Sequence, residues 1–132
     1  MTRSVLADTG PLYAVADDGD AHHKRALREL AALARERREI VIAYPILLEA
    51  YSLILFRMGR KAASLWLSQV TSAAFVDTTP HDYRQAIAHV QSLPDQSLTL
   101  VDATIAAMAN RLKLPVWTYD HHFDMMRANV WR

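Results

Sequence analysis

Cysteine is absent from this chain of 132 residues, and glycine and proline are scarce. Without Cys the protein has no disulfides and no thiolate metal site, which leaves His and carboxylates as the available metal ligands. Three Gly and five Pro argue against a disordered or linker-rich chain. There is no uncharged apolar stretch of about 18 residues and no signal-peptide pattern, so we expect a soluble cytoplasmic protein without a membrane partner. The net charge of +1 neither demands nor forbids a nucleic-acid partner.

Hydrophobic residues make up 52% of the chain, and their pattern alternates between strand and helix. The length fits one domain with a sizeable core, which we take to span residues 1–132. Apolar runs separated by helical segments predict four strands and a candidate edge strand, at residues 4–7, 40–43, 74–77, 114–118 and 129–131. Strands that alternate with helices give a parallel sheet joined by right-handed crossovers. We therefore expect an α/β fold, a three-layer sandwich with a central parallel sheet of four to five strands flanked by helices.

The stretch covering residues 97–123 is the most informative part of the chain. Apolar residues recur at three- and four-residue steps from Leu98 to Leu112, which predicts a helix, and a buried strand follows. Asp102 stands at the entrance of that helix, and Asp120 comes just past the strand. In an α/β fold such a strand delivers the residues after it to the carboxyl edge of the sheet, where ligands usually bind. The two acids are therefore expected to meet at one edge.

Two more acids are predicted to reach the same edge. Asp8 directly follows the first strand, and Glu49 lies in the second turn of a helix predicted over residues 46–58. We expect Glu49 on a buried face, where a carboxylate needs a cation or a hydrogen-bonding partner. Turn and cap chemistry explains each acid separately, and Asp102 also fits a capping box. Four acids at one edge, however, repel one another and raise one another's pKa unless a cation neutralises them.

Carboxylate oxygens in a chain without Cys favour a hard cation, Mg²⁺ or Mn²⁺. Mg²⁺ typically takes one or two carboxylates, keeps several waters and takes its other ligands from substrate phosphates. Such ions activate water and stabilise the leaving oxygen of an in-line phosphodiester displacement. A nucleic acid is therefore the natural substrate class.

Four motifs together resemble a known family. They are Asp8-Thr9 after the first strand, Glu49 on the following helix, Ser97-Leu-Thr-Leu-Val-Asp102-Ala, and Thr118-Tyr-Asp120-His-His-Phe123. Over essentially its whole length the chain resembles the PIN-domain ribonucleases, and most closely the VapC-type toxins of bacterial toxin-antitoxin modules. The resemblance implies a parallel sheet between helices and Mg²⁺- or Mn²⁺-dependent endoribonuclease activity on structured or single-stranded RNA. It also implies a homodimer and a small antitoxin, encoded nearby, that blocks the site.

The resemblance assigns roles to individual residues as well. The family's acidic quartet, which binds metal and positions the attacking water, is matched by Asp8, Glu49, Asp102 and Asp120. Thr9 and Thr118 match hydroxyl positions that orient this acidic centre, and Ser97 matches a hydroxyl that leads the helix nearby.

The region after Asp120 departs from part of the family. Some members have a further acid where this chain has His122. The roles of Asp120, His122 and Asp124 at this end of the site therefore stay open. We interpret Asp95 as a loop cap rather than an assisting acid.

Three other classes of protein stay open. A receiver-like or phosphohydrolase-like domain also gathers acids at a sheet edge, but Asp8 lacks a second acid two residues on and no Lys follows a core strand. A non-catalytic RNA-binding or scaffold PIN domain would be expected to have lost at least one acid of the quartet. A zinc hydrolase built on the His pairs at 22–23 and 121–122 lacks the H-E-x-x-H pattern.

A basic helix is predicted over residues 21–38, with Asp20 at its N-cap. We interpret its Arg and Lys side chains as a solvated helix surface, moderated by three Glu, rather than as a phosphate-binding surface. Tyr119 is expected near the acidic edge, where core packing is its simplest role.

Overall fold

The structure, a computed structural model, describes residues 3–132. Its strands are β1 (Arg3–Ala7), β2 (Arg38–Ala43), β3 (Ala74–Val76) and β4 (Val116–Trp117). Its helices are α1 (Thr9–Ala16), α2 (His23–Arg35), α3 (Tyr44–Met58), α4 (Arg60–Val70), α5 (Pro80–Ser92), α6 (Leu100–Leu112) and α7 (His122–Met125). None of these helices is both long and apolar enough to cross a membrane.

The strands form one parallel sheet in the order β3-β2-β1-β4, which confirms the predicted α/β sandwich. β4 is shorter than predicted, and the candidate edge strand at residues 129–131 is reduced to a single parallel bridge between Val116 and Val130. Because β1 and β4 are neighbours, their carboxyl ends lie side by side at one edge of the sheet.

The carboxyl half of β1 is fully buried, since helices cover both faces of the sheet. Val5, Leu6 and Ala7 are all fully buried. Side chains alternate between the faces of a strand, so Val5 and Ala7 pack with Leu33 of α2 and with Trp117, while Leu6 enters the larger core formed with α3 and α6. An acid that follows β1 directly is therefore carried to the edge of the core.

α5 and α6 are fixed at their ends by local polar chemistry. Thr79 and Asp82 form a capping box at the start of α5. The buried Asp82 also accepts two hydrogen bonds from Arg111 near the end of α6, both 2.8 Å long. This bidentate ion pair holds the two helices in register and so positions the start of α6, where Asp102 lies.

α1 begins at Thr9 because Asp8 caps it. α2 is shorter at both ends than the helix predicted over residues 21–38. Asp20 is not its N-cap: the Asp20 carboxylate accepts the N–H of His22 in a turn, and His22 occupies the cap position. At the other end Arg37 has a φ of 56°, which ends the helical segment and turns the chain into β2.

Candidate active site

Asp8 stands at the carboxyl end of β1 with both carboxylate oxygens engaged. Its N–H donates to the Trp117 carbonyl at 2.9 Å, which joins the end of β1 to the end of β4. One carboxylate oxygen accepts the Thr9 N–H at 2.9 Å, and the other accepts the Thr118 hydroxyl at 2.8 Å. Asp8 is only 5% exposed, so its carboxylate is largely withdrawn from water.

The pKa of Asp8 reflects that burial. Desolvation raises it from 3.8 to about 6, against the opposing effect of the hydrogen bonds from Thr118 and Thr9. The negative charges of Glu49 and Asp120 raise it further. The two hydrogen bonds to Asp8 therefore do not compensate for its burial beside other acids. Ionised Asp8 lowers the stability of the folded protein.

Asp102 lies in the first turn of α6, three residues after the N-cap Thr99. The Thr99 hydroxyl oxygen accepts the Asp102 N–H at 3.1 Å, which is one half of the predicted capping box. In the described part of the chain, the Asp102 carboxylate does not accept the Thr99 N–H in return, whereas Asp82 does so for Thr79 in α5. The Asp102 carboxylate is thus turned to the acidic edge rather than used by the cap.

Asp102 and Asp120 are hydrogen-bonded to each other and titrate as a pair. Burial raises the pKa of Asp102 to about 7, and the charge of Asp8 and the hydrogen bond with Asp120 add to the effect. Burial also acts on Asp120, but hydrogen bonds from the His122 N–H and from Asp102 hold the pKa of Asp120 below its ordinary value. The pKa of Asp102 is therefore raised and that of Asp120 is lowered, so Asp102 is the acid of the pair that is more easily protonated.

Thr118 connects the two ends of the site. Its hydroxyl donates to Asp8 and also accepts the N–H of Asp120 at 3.0 Å. Asp120 in turn accepts the His122 N–H at 2.9 Å, in a turn that leads into α7. A single buried hydroxyl therefore fixes the spacing between an acid after β1 and an acid after β4.

His122 is closer to the acids than the sequence alone indicates. Its Nδ1 lies 2.8 Å from an Asp120 carboxylate oxygen, and its side chain is only 13% exposed. Within residues 3–132, Asp120, His121 and His122 are the one group of acids and His whose ligand atoms all lie within 4.8 Å of one another. The Asp-x-His spacing is the available sequence signal, because an Asp often accepts the N–H two residues on in a turn.

Glu49 is half-buried, so the prediction that it lies on a buried face was wrong. The buried stripe of α3 consists of Ile46, Ala50 and Ile54, at four-residue spacing. Glu49 is one residue before Ala50, about 100° around the helix, and so lies at the border of this stripe. Its charge still reaches Asp8, whose pKa it raises.

Of the three predicted supporting residues, two contact the acidic cluster and one does not. Thr118 is described above, and Thr9 contributes its N–H to Asp8. The Thr9 hydroxyl is buried and has no hydrogen-bond partner within residues 3–132. Ser97 is exposed and makes no side-chain hydrogen bond in the same range; α6 begins later, and its cap hydroxyl is that of Thr99.

The remaining candidates lie outside the cluster. Asp95 is exposed in the loop before α6. Asp124, in α7, pairs with Arg132 at 3.0 Å. His23 uses its Nδ1 to contact the Ala14 carbonyl at 2.7 Å, so the first His pair does not present two free ring nitrogens to a metal.

The arrangement suits a hard divalent cation. All four acids reach one edge, and the charges of Glu49, Asp102 and Asp120 interact with Asp8 or with each other. Their oxygens are the ligands that Mg²⁺ and Mn²⁺ prefer. Burial, and to a lesser degree the neighbouring negative charges, raise the pKa values of Asp8 and Asp102, so the ionised forms of both acids are disfavoured without a compensating positive charge.

The fold and the site together define an α/β protein with a carboxylate cluster at the carboxyl edge of its parallel sheet. The family model of the PIN domain matches residues 5–129, and the chain belongs to this family. The resemblance to PIN domains that the motifs indicated is therefore confirmed.

Solved structures with the same fold include bacterial toxins. VapC20 of Mycobacterium tuberculosis, described as a sarcin-ricin loop cleaving toxin, has a TM-score of 0.83 at 22% identity, over 97% of this chain and 98% of that one. VapBC2 of Rickettsia felis, solved bound to a DNA fragment from its promoter, has a TM-score of 0.75 at 14% identity, over 98% and 97%. FitAcB of Neisseria gonorrhoeae has a TM-score of 0.73 at 16% identity, over 97% and 96%. No curated protein matches the sequence significantly.

Proposed function

We propose that this protein is a Mg²⁺- or Mn²⁺-dependent endoribonuclease and the toxin of a toxin-antitoxin pair. The observation that carries the proposal is the convergence of acids at the carboxyl edge of the sheet, where the Thr118 hydroxyl joins Asp8 to the Asp120 loop and burial raises the pKa of Asp8 to about 6. A fold that draws acids together in this way is destabilised unless a cation binds them. Membership of the PIN family supports nuclease chemistry, and the likeness to a toxin that cleaves the sarcin-ricin loop supports RNA as the substrate.

The residues that we propose to hold the cation and to position the attacking water are Asp8, Glu49, Asp102 and Asp120. Their oxygens are hard donors, and Mg²⁺ keeps several waters, so a cluster that is looser than a closed cage fits it. When bound, the cation supplies an activated water and stabilises the charge that develops during phosphodiester hydrolysis.

The protein's own groups prepare this centre. Thr118 holds Asp8 through its hydroxyl and the Asp120 loop through the same oxygen. The His122 N–H helps to keep Asp120 ionised. Asp102 carries a proton near neutral pH, so it must lose that proton to bind a cation. In the reaction a bond forms between the water oxygen and phosphorus, one backbone P–O bond breaks, and a proton passes to the leaving oxygen.

The toxin assignment brings partners with it. The fold that this chain shares with VapBC2 and FitAcB supports a cognate antitoxin. We expect residues 1–132 to act as a single domain, the protein to form a homodimer, and its place of action to be the cytoplasm, where its RNA substrate is found. Light scattering coupled to size-exclusion chromatography measures the oligomeric state directly.

Cleavage of RNA by the purified protein tests the proposal. The substrates are a sarcin-ricin-loop hairpin and a single-stranded oligonucleotide of mixed sequence, incubated with Mg²⁺, Mn²⁺ or excess EDTA. We expect metal-dependent cutting that Asp102→Asn abolishes, because the variant removes a ligating charge with little change of shape. Asp95→Asn, which alters an exposed loop acid, is the matched control and keeps full activity.

Two results would contradict the proposal. Full activity in Asp102→Asn would exclude the assigned centre. A folded protein that binds RNA but neither cuts it nor binds Mn²⁺ in a calorimetric titration would be a non-catalytic RNA-binding PIN domain instead.

A further inference from the structure

A cavity of about 390 Å³ lies directly beside the acidic cluster. Thr118 and Asp120 form one side of it, and its other walls include Arg25, Tyr119 and Arg132. Volumes of roughly 300–1,000 Å³ are usual for cavities that hold small organic groups. The cavity therefore offers room for part of a substrate next to the proposed centre.

Arg25 is held in a defined position at the wall of this cavity. Its guanidinium carbon lies 4.2 Å from the centroid of the Tyr119 ring, in a cation–π contact. Its Nε donates to Glu29, one turn further along α2, at 3.3 Å. Although it is held at two points, the side chain is 49% exposed, and its two terminal nitrogens make no hydrogen bond within residues 3–132. Those nitrogens remain available to a ligand.

Tyr119 and Glu29 are themselves fixed, so the position of Arg25 is preorganised. The Tyr119 hydroxyl donates to Glu29 at 2.6 Å, and the Trp117 ring N–H donates to the same oxygen at 3.1 Å. Trp117 is a buried residue of β4. Trp117 thus holds the Glu29 carboxylate in place, and that carboxylate in turn holds Arg25. Glu29 accepts from the Tyr119 and Trp117 donors through one oxygen and from the Arg25 Nε through the other, so its orientation is fixed.

A second Arg lies in the wall of the cavity. Arg132 pairs with Asp124 at 3.0 Å, and its side chain is 68% exposed. Each Arg of the lining thus has a carboxylate partner, Glu29 for Arg25 and Asp124 for Arg132. A phosphate that enters the cavity therefore meets guanidinium groups that are already held in place.

We propose that this cavity binds the nucleotide next to the scissile phosphate of the RNA, with the Arg25 guanidinium contacting the phosphate of that nucleotide. The inference rests on the proposed ribonuclease function. A planar guanidinium with two free nitrogens matches a phosphate in a bidentate fashion, and an Arg plane also stacks on an unpaired base. The cavity shares Thr118 and Asp120 with the centre, so adjacent phosphates of one strand reach both. Arg25 is then a substrate-binding residue of α2, and the rest of the basic helix stays a solvated surface.

Steady-state cleavage in Mn²⁺ separates binding from chemistry. We expect Arg25→Ala to raise KM roughly tenfold, the effect of losing a hydrogen bond to a charged group, with kcat within about twofold of wild type. Arg25→Lys keeps the charge but loses the planar fork, so it recovers only part of the affinity. The matched control is Arg35→Ala, an exposed Arg on the same helix roughly 15 Å further along; its KM stays at the wild-type value.

A second measurement keeps the inference independent of cleavage. Fluorescence anisotropy with labelled sarcin-ricin-loop hairpin and with the mixed-sequence oligonucleotide is measured in the Asp102→Asn background with Mn²⁺. Adding Arg25→Ala is expected to weaken binding roughly tenfold and to reduce the salt dependence of binding by about one ion. Adding Arg35→Ala is expected to do neither.

The outcomes of these experiments distinguish the two proposals. If wild type does not cleave but Arg25→Ala weakens RNA binding, the nuclease assignment fails and the nucleotide site stands. If wild type cleaves and Arg25→Ala matches Arg35→Ala in both KM and anisotropy, the nucleotide site is refuted while the nuclease stands. A loss of antitoxin binding by Arg25→Ala with unchanged RNA affinity also refutes it, since the cavity then takes a protein segment.

Discussion

Replacing Asp8 by Asn is expected to stabilise the metal-free protein at neutral and alkaline pH. Asn keeps an oxygen that accepts a hydrogen bond and has nearly the same shape, but it carries no charge. The substitution therefore removes the burial of an ionised carboxylate and its repulsion by Glu49 and Asp120. A residue whose only role is to cap α1 would show the opposite result, because an Asp cap favours the helix N-terminus through its charge.

The magnitude follows from the pKa of Asp8, which burial raises from 3.8 to about 6. Each pKa unit corresponds to about 1.4 kcal/mol, so the ionised carboxylate costs the folded state roughly 3 kcal/mol above pH 6. The folded state binds the proton more tightly than the unfolded chain does. Wild-type stability therefore falls as the pH rises from about 4 to 6, and the advantage of Asp8→Asn grows over the same window.

The assay is urea denaturation followed by circular dichroism, in EDTA, at pH 4 and at pH 8. We expect the two proteins to have nearly equal free energies of unfolding at pH 4. At pH 8 Asp8→Asn is expected to be more stable by up to about 3 kcal/mol, or roughly 10 °C in melting temperature. Mn²⁺ at one thousand times its Kd should reverse the order, since a ligand at that concentration stabilises wild type by about 4.1 kcal/mol.

Asp95→Asn is the control for this series, because Asp95 is exposed in a loop and its replacement leaves the stability difference near zero at both pH values. The reasoning would be refuted if Asp8→Asn destabilised the protein equally at pH 4 and pH 8. Asp8 would then be a structural cap whose charge the fold needs.

Three further perturbations test other parts of the structure. Thr118→Val is expected to lower cleavage at least tenfold and to destabilise the fold by about 1–2 kcal/mol, whereas Thr118→Ser retains both, because only a hydroxyl bridges to Asp8. Mn²⁺ affinity measured by calorimetry is expected to fall about tenfold between pH 8 and pH 6, as Asp102 with its pKa of about 7 takes up a proton; a flat profile would exclude Asp102 as a ligand. Asp82→Ala is expected to lower the free energy of unfolding by about 2–3 kcal/mol by breaking the pair with Arg111, without changing kcat at 20 °C; unchanged stability would contradict that assignment.

The sequence by itself determined the order of strands and helices, and it placed Asp8, Asp102 and Asp120 next to the ends of particular strands and helices. Strand and cap signals are local, which is why the cap at the start of α6 was predictable from the sequence. Acids that directly follow parallel strands reach the carboxyl edge of the sheet whatever the packing details. Asp8 and Asp120 were therefore predictable from the strand pattern alone.

Tertiary packing decided how the side chains at that edge are used. The depth of Glu49 depends on an angle of about 100° around α3, which a sequence pattern does not resolve. The contact of His122 with Asp120 and the exposure of Ser97 follow from how loops fold back on the sheet. Only burial in the assembled core raises the pKa of Asp8, and burial is a property of the whole chain.

The contact between α2 and the loop after β4 is the clearest case of long-range determination. In the sequence, nothing distinguishes Arg25 from the other charged residues of this helix. In the structure, its guanidinium lies over the ring of Tyr119. No local signal links these residues, because Tyr119 lies in the loop after β4, the last strand in chain order, and is far from α2 in the sequence. The sequence thus specified the chemistry of the acidic edge, and the packing of α2 against β4 specified what lies beside it.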